Sequence, residues 1–250
     1  MIKIVVTAPR GQMDRLIVEE AYKHENIKIV GGVGVPGRDY IGKDIGIVSG
    51  MGMEIGATVY DDIEKIIQQC DLVVDFSSVE HSMKVLKSCL KHNKALICGT
   101  TGFSQQQTDE LMSAAKHIPF MKAANTSFVV NVMRKLLAEA AQKIGSKCSI
   151  EIIEMHAETK LDAPSGTAIE LAEEMAAASS DKNYEDIKFH SVRAGNTPSS
   201  HRVIFGCMGE KLEISHDAYD LRCFAIGACE AILFMKNKEP GNYTMDDVIK

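Results

Sequence analysis

Short apolar segments alternate with helix-forming ones through the first half of this chain, and that alternation restricts the fold more than any other feature. Ile2–Thr7 is β-branched with little polar interruption, as expected of a strand buried on both faces. The pattern predicts a helix over 11–24, a strand over 27–33, a helix over 61–69, a strand over 71–75 and a helix over 79–92. A strand over 95–99, a helix over 105–117 and a strand over 119–124 follow. Strands separated by helices of this length form a parallel sheet, so the first part is read as an α/β, Rossmann-like domain.

In such a sheet the first strand-to-helix turn carries the pyrophosphate of a dinucleotide. Here that turn holds Ala8, Pro9, Arg10, Gly11, Gln12 and Met13, and Asp14 follows in the first turn of the helix. Asp14 is expected to offer the helix N–H groups an internal anion that competes with the cofactor phosphates. The run Gly32-Val33-Gly34-Val35-Pro36-Gly37 fits G-x-G-x-x-G but is read as a decoy. It follows the second strand, contains a proline and leads into a polar loop. Gly99-Thr100-Thr101 and Ala123-Ala124-Asn125-Thr126 each close a strand, at the end where open α/β sheets contact cofactors.

Beyond residue 126 the pattern changes. A helix is expected over 131–144, then strands over 148–154, 188–192, 202–207 and 211–216, with no helix after the last three. That arrangement predicts a second, α+β domain built on a mixed, mainly antiparallel sheet. A long helix over 222–236 and a short one over 246–250 end the chain.

The chemistry concentrates between Glu154 and Ala168, EMHAETKLDAPSGTA, where a strand gives way to a loop and a helix. Pro164 bars Ala163 from helical geometry, Ser165 or Thr167 can cap the helix, and Gly166 lets a ligand approach the backbone. The first-turn N–H groups and the helix dipole make a seat for an anion, and Lys160 adds a full positive charge. His156 adds an imidazole whose ordinary pKa lies near the working pH. Together these residues point to a carboxylate or phosphate site with an acid/base group beside it. Among the other histidines, His24, His81, His92 and His117 read as surface residues, whereas His201, in the loop region after Arg193-Ala194-Gly195, is a candidate to approach the ligand.

Composition closes off several functions. A net charge of −6 argues against nucleic-acid or anionic-membrane partners. No apolar run approaches the roughly 20 residues that span a bilayer, and the chain enters a strand at once, so no signal peptide is expected. The 7 cysteines sit singly, with no metal-ligand spacing, so no metal site is expected. Most lie in apolar runs, which points to a reducing, cytoplasmic setting.

The stretch from Glu154 to Ala168 resembles the signature of the dihydrodipicolinate reductase family, E-x-H-H-x-x-K-x-D-A-P-S-G-T-A. The resemblance extends to Gly99-Thr100-Thr101-Gly102-Phe103 and Ala123-Ala124-Asn125-Thr126-Ser127 and covers most of the chain. It implies a reductase of lysine biosynthesis that transfers a hydride from NADH or NADPH to a small, cyclic, unsaturated dicarboxylate. His156 and Lys160 then stand at the family's catalytic positions, and Ser165, Gly166 and Thr167 hold a substrate carboxylate. The turn from Ala8 to Met13, with Gly99–Thr101 and Ala123–Thr126, would hold the cofactor.

The resemblance also implies a homotetramer, and a chain whose end returns to the first domain. The division is therefore 1–126 with 237–250 for the dinucleotide and 127–236 for substrate and oligomerisation. Three departures bear on activity. Ala8 and Asp14 replace glycines of the cofactor turn, and Ala157 replaces the family's second histidine, a substrate contact. They keep open a related dehydrogenase with another substrate, or a non-catalytic metabolite-binding relative.

Overall fold

The computed structural model describes residues 1–249; Lys250, the expected end of the last helix, lies outside the described residues. In chain order the elements are β1 (Ile2–Thr7), α1 (Gln12–Lys23), β2 (Ile27–Val33), α2 (Ile45–Val48), β3 (Val59–Tyr60), β4 (Leu72–Asp75) and α3 (Val79–His92). Next come β5 (Ala95–Cys98), α4 (Gln105–Ala114), β6 (Pro119–Lys122), α5 (Phe128–Ile144), β7 (Ser149–His156) and α6 (Gly166–Ala178). The chain ends with β8 (Ile187–Arg193), β9 (Ser199–Cys207), β10 (Glu210–Ala218), α7 (Arg222–Phe234), β11 (Gly241–Tyr243) and α8 (Met245–Val248). Two compact units result: Met1–Ser127 with the segment from Arg222 onward, and Phe128–Leu221.

The first unit is built on a seven-stranded sheet in the order β11-β6-β5-β4-β1-β2-β3. Every pairing in it is parallel. From β1 the chain winds outward through β2 and β3, then crosses back to β4 on the other side, so the topological switch point lies between β1 and β4. β4 and β5 are buried at every position, which explains why they read as unbroken apolar runs.

Two expectations change in this unit. Residues 61–69 form two 3₁₀ turns, Ile63–Lys65 and Ile67–Gln69, in place of one α-helix. Ile66, at φ −130°, interrupts the helical path, while Ile63, Ile66 and Ile67 still bury their side chains. The helical spacing of apolar residues is satisfied without a helix. Helix α7, expected with the second domain, belongs to the first. Its Arg222 pairs with Glu19 and Glu20 of α1 at 2.9 and 2.6 Å. Gly227 comes so near the Thr126 carbonyl that a Cβ would lie 1.8 Å from it.

The second unit carries a four-stranded sheet in the order β10-β9-β7-β8. β7 runs parallel to β8 and antiparallel to β9, and β9 is antiparallel to β10, so the sheet is mixed as expected. Met133, Leu137 and Ala141 of α5 and Ala168, Leu171 and Met175 of α6 pack on its inner face with Ile150, Ile152, Val203 and Phe205. β7 alternates strictly, turning Ile150, Ile152, Glu154 and His156 inward.

Pairing of Ser149 with Gly206 brings the flanking Cys148 and Cys207 face to face, and they are disulfide-bonded. This differs from the expectation of seven isolated thiols, because a cross-strand pair brought together by register leaves no local spacing signal. Cys70, Cys89, Cys98 and Cys229 are free and buried, and Cys223 is half-buried.

Candidate functional site

His156 is the last residue of β7, and its inward position follows from the period-2 alternation of that strand. Glu154, two residues earlier on the same face, is fully buried, and its Oε2 lies 2.5 Å from His156 Nδ1. Parallel pairing sets Arg193 of β8 opposite His156. The Arg193 guanidinium donates to both Glu154 oxygens, Nη1 to Oε2 at 2.9 Å and Nη2 to Oε1 at 2.8 Å. Nη2 also donates to the Asp162 carbonyl at 2.6 Å, tying the signature loop to the sheet.

That loop runs from Ala157 to Ser165. Lys160 lies on it, half-buried, with Nζ 2.9 Å from the Asp162 carboxylate. The Ala163–Pro164 peptide is cis. Ser165 caps α6, its Oγ accepting from the Ala168 N–H at 3.2 Å. Gly166 and Thr167 open the helix, where backbone N–H groups find no carbonyl within the helix. A Cβ at Gly166 would meet nothing within 4 Å, so the missing side chain leaves this end open to a ligand. The order of the sequence therefore delivers an imidazole, an ammonium and a helix N-terminus on one short loop.

The site's electrostatics follow from burial and pairing. Burial acts to raise the Glu154 pKa, but hydrogen bonds from Arg193, Ser191 and His156 outweigh it and hold the carboxyl at about 2. The His156 pKa is lowered, by burial first and by Lys160 and Arg193 next, with Glu154 opposing them. His201 lies on a strand and not in a loop as its context suggested. It is buried on β9, with Nε2 3.3 Å from Ser165 Oγ and its ring edge-on to His156 at 5.4 Å. Burial, His156 and His216 push its pKa down to about 3, so it stays neutral. His216, opposite it on β10, is likewise buried.

In the first unit the three expected cofactor segments all follow parallel strands, β1, β5 and β6, and so share the C-terminal edge of one sheet. Ala8 takes the left-handed conformation, φ 42°, that a glycine would adopt freely. Pro9 is buried beside it, and Arg10 stacks over the Tyr40 ring at 4.6 Å while pairing with Asp39 at 2.9 Å. Gly11 is the N-cap of α1 and offers no side-chain cap, and a Cβ on it would sit 2.5 Å from Asp14 Oδ2. Gln12 and Met13 begin the helix.

At the next edge position Gly99 leaves space that the Phe76 ring fills, and Thr100 accepts from Ser82 Oγ at 2.9 Å. Thr101 is exposed. Ala123 donates to the Cys98 carbonyl, Ala124 is exposed, Asn125 Oδ1 accepts from the Ser127 N–H, and Thr126 donates to the Phe224 carbonyl.

Asp14 differs from its expected role as a charged competitor. It is buried, and burial followed by the neighbouring Asp75 raises its pKa well above the ordinary value, favouring the uncharged acid. A switch point and a helix start whose N-cap, Gly11, has no side chain fit a dinucleotide, and the raised pKa of Asp14 weakens its opposition to one. Sequence reasoning passed over Glu154, Arg193 and Asp75. Strand alternation could have found Glu154; Arg193 and Asp75 arrive through strand pairing that no short-range spacing encodes.

Among the described residues no cluster of three or more His, Cys, Asp or Glu is placed to hold a metal ion, and no helix is long and apolar enough to cross a membrane. The whole fold is similar to dihydrodipicolinate reductase from Paenisporosarcina sp. TG-14 with dipicolinate bound, at TM-score 0.80 and 25% identity over 100% of both chains. It is similar in fold to amine dehydrogenase from Mycobacterium smegmatis, at TM-score 0.72 and 14% identity over 98% of this chain and 95% of that one. Apo scyllo-inositol dehydrogenase from Lactobacillus casei matches at TM-score 0.65 and 10% identity, over 100% of this chain and 92% of that one. Residues 2–126 match the N-terminal part of dihydrodipicolinate reductase and residues 129–249 its C-terminal part. With both parts accounted for, in order and along nearly its full length, the chain belongs to the dihydrodipicolinate reductase family, NAD(P)H-dependent oxidoreductases of the diaminopimelate route to lysine.

Proposed function

We propose that this chain reduces a cyclic, unsaturated dicarboxylate, with the loop from His156 to Thr167 as its substrate site. The observation that carries the reading is the single loop that joins a buried imidazole, an ammonium and an open helix N-terminus. Ser165, Gly166 and Thr167 at the start of α6 seat one carboxylate through backbone N–H groups and the helix dipole. Lys160 stabilises negative charge on the substrate or delivers a proton, and His156 serves as the acid/base. When bound, a nicotinamide nucleotide supplies the hydride, and the turn from Ala8 to Met13 with Gly99–Thr101 and Ala123–Thr126 would hold it. The relative with dipicolinate bound supports a planar dicarboxylate as ligand.

The unit containing β1 is assigned to the dinucleotide, and the unit containing β7 to substrate and oligomerisation, as a cytoplasmic homotetramer. Either NADH or NADPH fits the turn. Val35, where an acidic residue would favour the NADH ribose, is apolar and exposed, and Arg38 and Lys43 nearby carry charge suited to a 2′-phosphate. Turnover with each nucleotide decides between them, and light scattering after size exclusion tests the tetramer.

The main test is steady-state kinetics of His156→Ala and Lys160→Ala. Each should lower kcat by about two orders of magnitude or more. His156→Ala should also flatten the pH–rate profile between about 5 and 8. Near-normal turnover in both variants would remove the loop from the chemistry. Nicotinamide fluorescence, with and without pyridine-2,6-dicarboxylate, reports binding independently; the dicarboxylate should tighten nucleotide binding.

A further inference from the structure

Glu154 occupies a position where packing alone would select an apolar residue. Its strand neighbours on the same face, Ile150 and Ile152, are buried in the core of the second unit, and Glu154 itself is fully buried. A carboxylate in such a place is unfavourable by several kcal/mol unless it is paired and hydrogen-bonded. Its hydrogen bonds come from Ser191, Arg193 and His156. Arg193 grips both oxygens with its planar fork, and His156 Nδ1 meets Oε2 at 2.5 Å. Arg193 also grips the backbone of the loop that carries Lys160.

An ionised carboxylate can only accept hydrogen bonds, so the His156 nitrogen facing it must carry a hydrogen. The other ring nitrogen, Nε2, has no protein hydrogen bond among the described residues. The geometry therefore singles out one tautomer and one working atom. We propose that Glu154, clamped by Arg193, is a positioning residue for the reduction: it holds His156 with its hydrogen on Nδ1, so that the proton delivered to substrate passes through Nε2.

The inference rests on the reading of His156 as the acid/base. Hydride addition to the conjugated system leaves an electron pair on a substrate atom. In the completing step the Nε2–H bond of the imidazolium breaks as a bond from hydrogen to that atom forms. The imidazole is left neutral with its Nδ1–H still on Glu154, and solvent returns a proton to Nε2. Glu154 stabilises the imidazolium before transfer and stays ionised throughout, the division of labour known for carboxylate–histidine pairs in acyl transfer. The charged and titratable groups around His156 are Glu154 on its own strand, Arg193 on β8, His201 on β9, and Lys160 and Asp162 on the loop. His216 lies beyond His201 on β10.

Substitution Glu154→Gln tests this directly. With the glutamine oxygen taken by Arg193, its NH₂ faces Nδ1, which must then accept, and the hydrogen moves to Nε2. We expect ¹⁵N NMR of histidine-labelled protein to report the Nδ1–H tautomer in the parent and Nε2–H in Glu154→Gln. We also expect kcat to fall about 100-fold or more with KM within a few-fold, and the pH–rate limb of His156 to move to lower pH.

A purely structural role would lower the melting temperature and leave tautomer and pH profile unchanged; that result overturns the proposal. If the variant does not fold, the parent spectrum alone decides, since an Nε2–H tautomer at His156 would contradict the geometry. Normal kinetics in Glu154→Gln beside an inactive His156→Ala would reject only the positioning role. Normal kinetics in His156→Ala would reject the underlying reading.

Discussion

Two buried carboxyls, Glu154 in the second unit and Asp14 in the first, have their pKa values moved in opposite directions for one physical reason. Both are almost fully shielded from solvent. Glu154 has the Arg193 guanidinium on both oxygens and is held at about 2. Asp14 has the Asp75 carboxyl as its neighbour, and its Oδ1 has no hydrogen-bond partner among the described residues; burial first and Asp75 next raise its pKa well above the ordinary value. Burial disfavours the anion at both positions, and the partner decides the outcome. The second unit thus favours the anion at its buried carboxyl, whereas the first favours the uncharged acid.

The largest effect should come from breaking the pair that keeps Glu154 charged. Arg193→Met leaves a buried, unpaired carboxylate, which should lower stability at pH 7 by about 3 kcal/mol or more. The sign with pH follows from the depressed pKa. In the parent, the Glu154 contribution is present above the unfolded value of 4.5 and is lost as pH falls toward about 2. In the variant Glu154 protonates more readily, so the stability gap between variant and parent should narrow from pH 7 to pH 4. Denaturant titrations at the two pH values measure this. An equal loss at both would mean that Arg193 braces the loop and does nothing for the charge.

The same contrast governs what could be read from the chain. His156, Lys160 and the α6 cap lie within one contiguous stretch whose order dictates their juxtaposition, so this candidate site was legible from residues alone. The parallel sheet was legible too, because strands such as Leu72–Asp75 are apolar throughout. Residues that meet through pairing of distant strands were not legible, Arg193 and the Cys148–Cys207 bond among them. Helix α7 follows the second unit in sequence and was assigned there, yet its ion pairs with Glu19 and Glu20 hold it to α1. The turn at Ala8 to Met13 was recognisable from its place after β1, since its residues depart from the glycine pattern that the resemblance supplies.

A smaller effect should appear at Ala157, where the second unit lacks the histidine that the family signature carries. His201, read from the sequence as a candidate to approach the ligand, is buried against Ser165 and His156. Ala157 is half-buried at the end of β7, and its carbonyl accepts the Lys160 N–H at 3.0 Å, a contact that a new side chain need not disturb. Ala157→His should therefore lower the substrate KM. A hydrogen bond to a carboxylate is worth about 1.5–3 kcal/mol, which corresponds to about tenfold or more. An unchanged KM in a folded variant would indicate that the substrate carboxylates are already satisfied without that position.

The smallest effect, and the one that separates charge from shape in the first unit, concerns Asp14→Gly. If Asp14 were ionised, removing it would relieve repulsion of the cofactor phosphates at any pH above the ordinary carboxylate range. Because its pKa is raised, the acid form persists to higher pH, and the repulsion develops only as pH rises through that value. The gain in nucleotide affinity should then be slight below the folded value and grow as pH rises through it, reaching about two- to fivefold, the range of charge effects at a helix N-terminus. Added salt should erase the gain at the higher pH and change little at the lower one, since only the ionised form is screened. Stability moves by the same logic. In the parent, a carboxyl with a raised folded pKa lowers stability as pH climbs from 3.8 through the folded value, and the glycine variant lacks that slope. Fluorescence titrations of the nucleotide at two pH values and two ionic strengths measure the affinity change. A gain of equal size at both pH values would locate the effect in the space that the Asp14 side chain takes up beside Gly11, with its charge irrelevant.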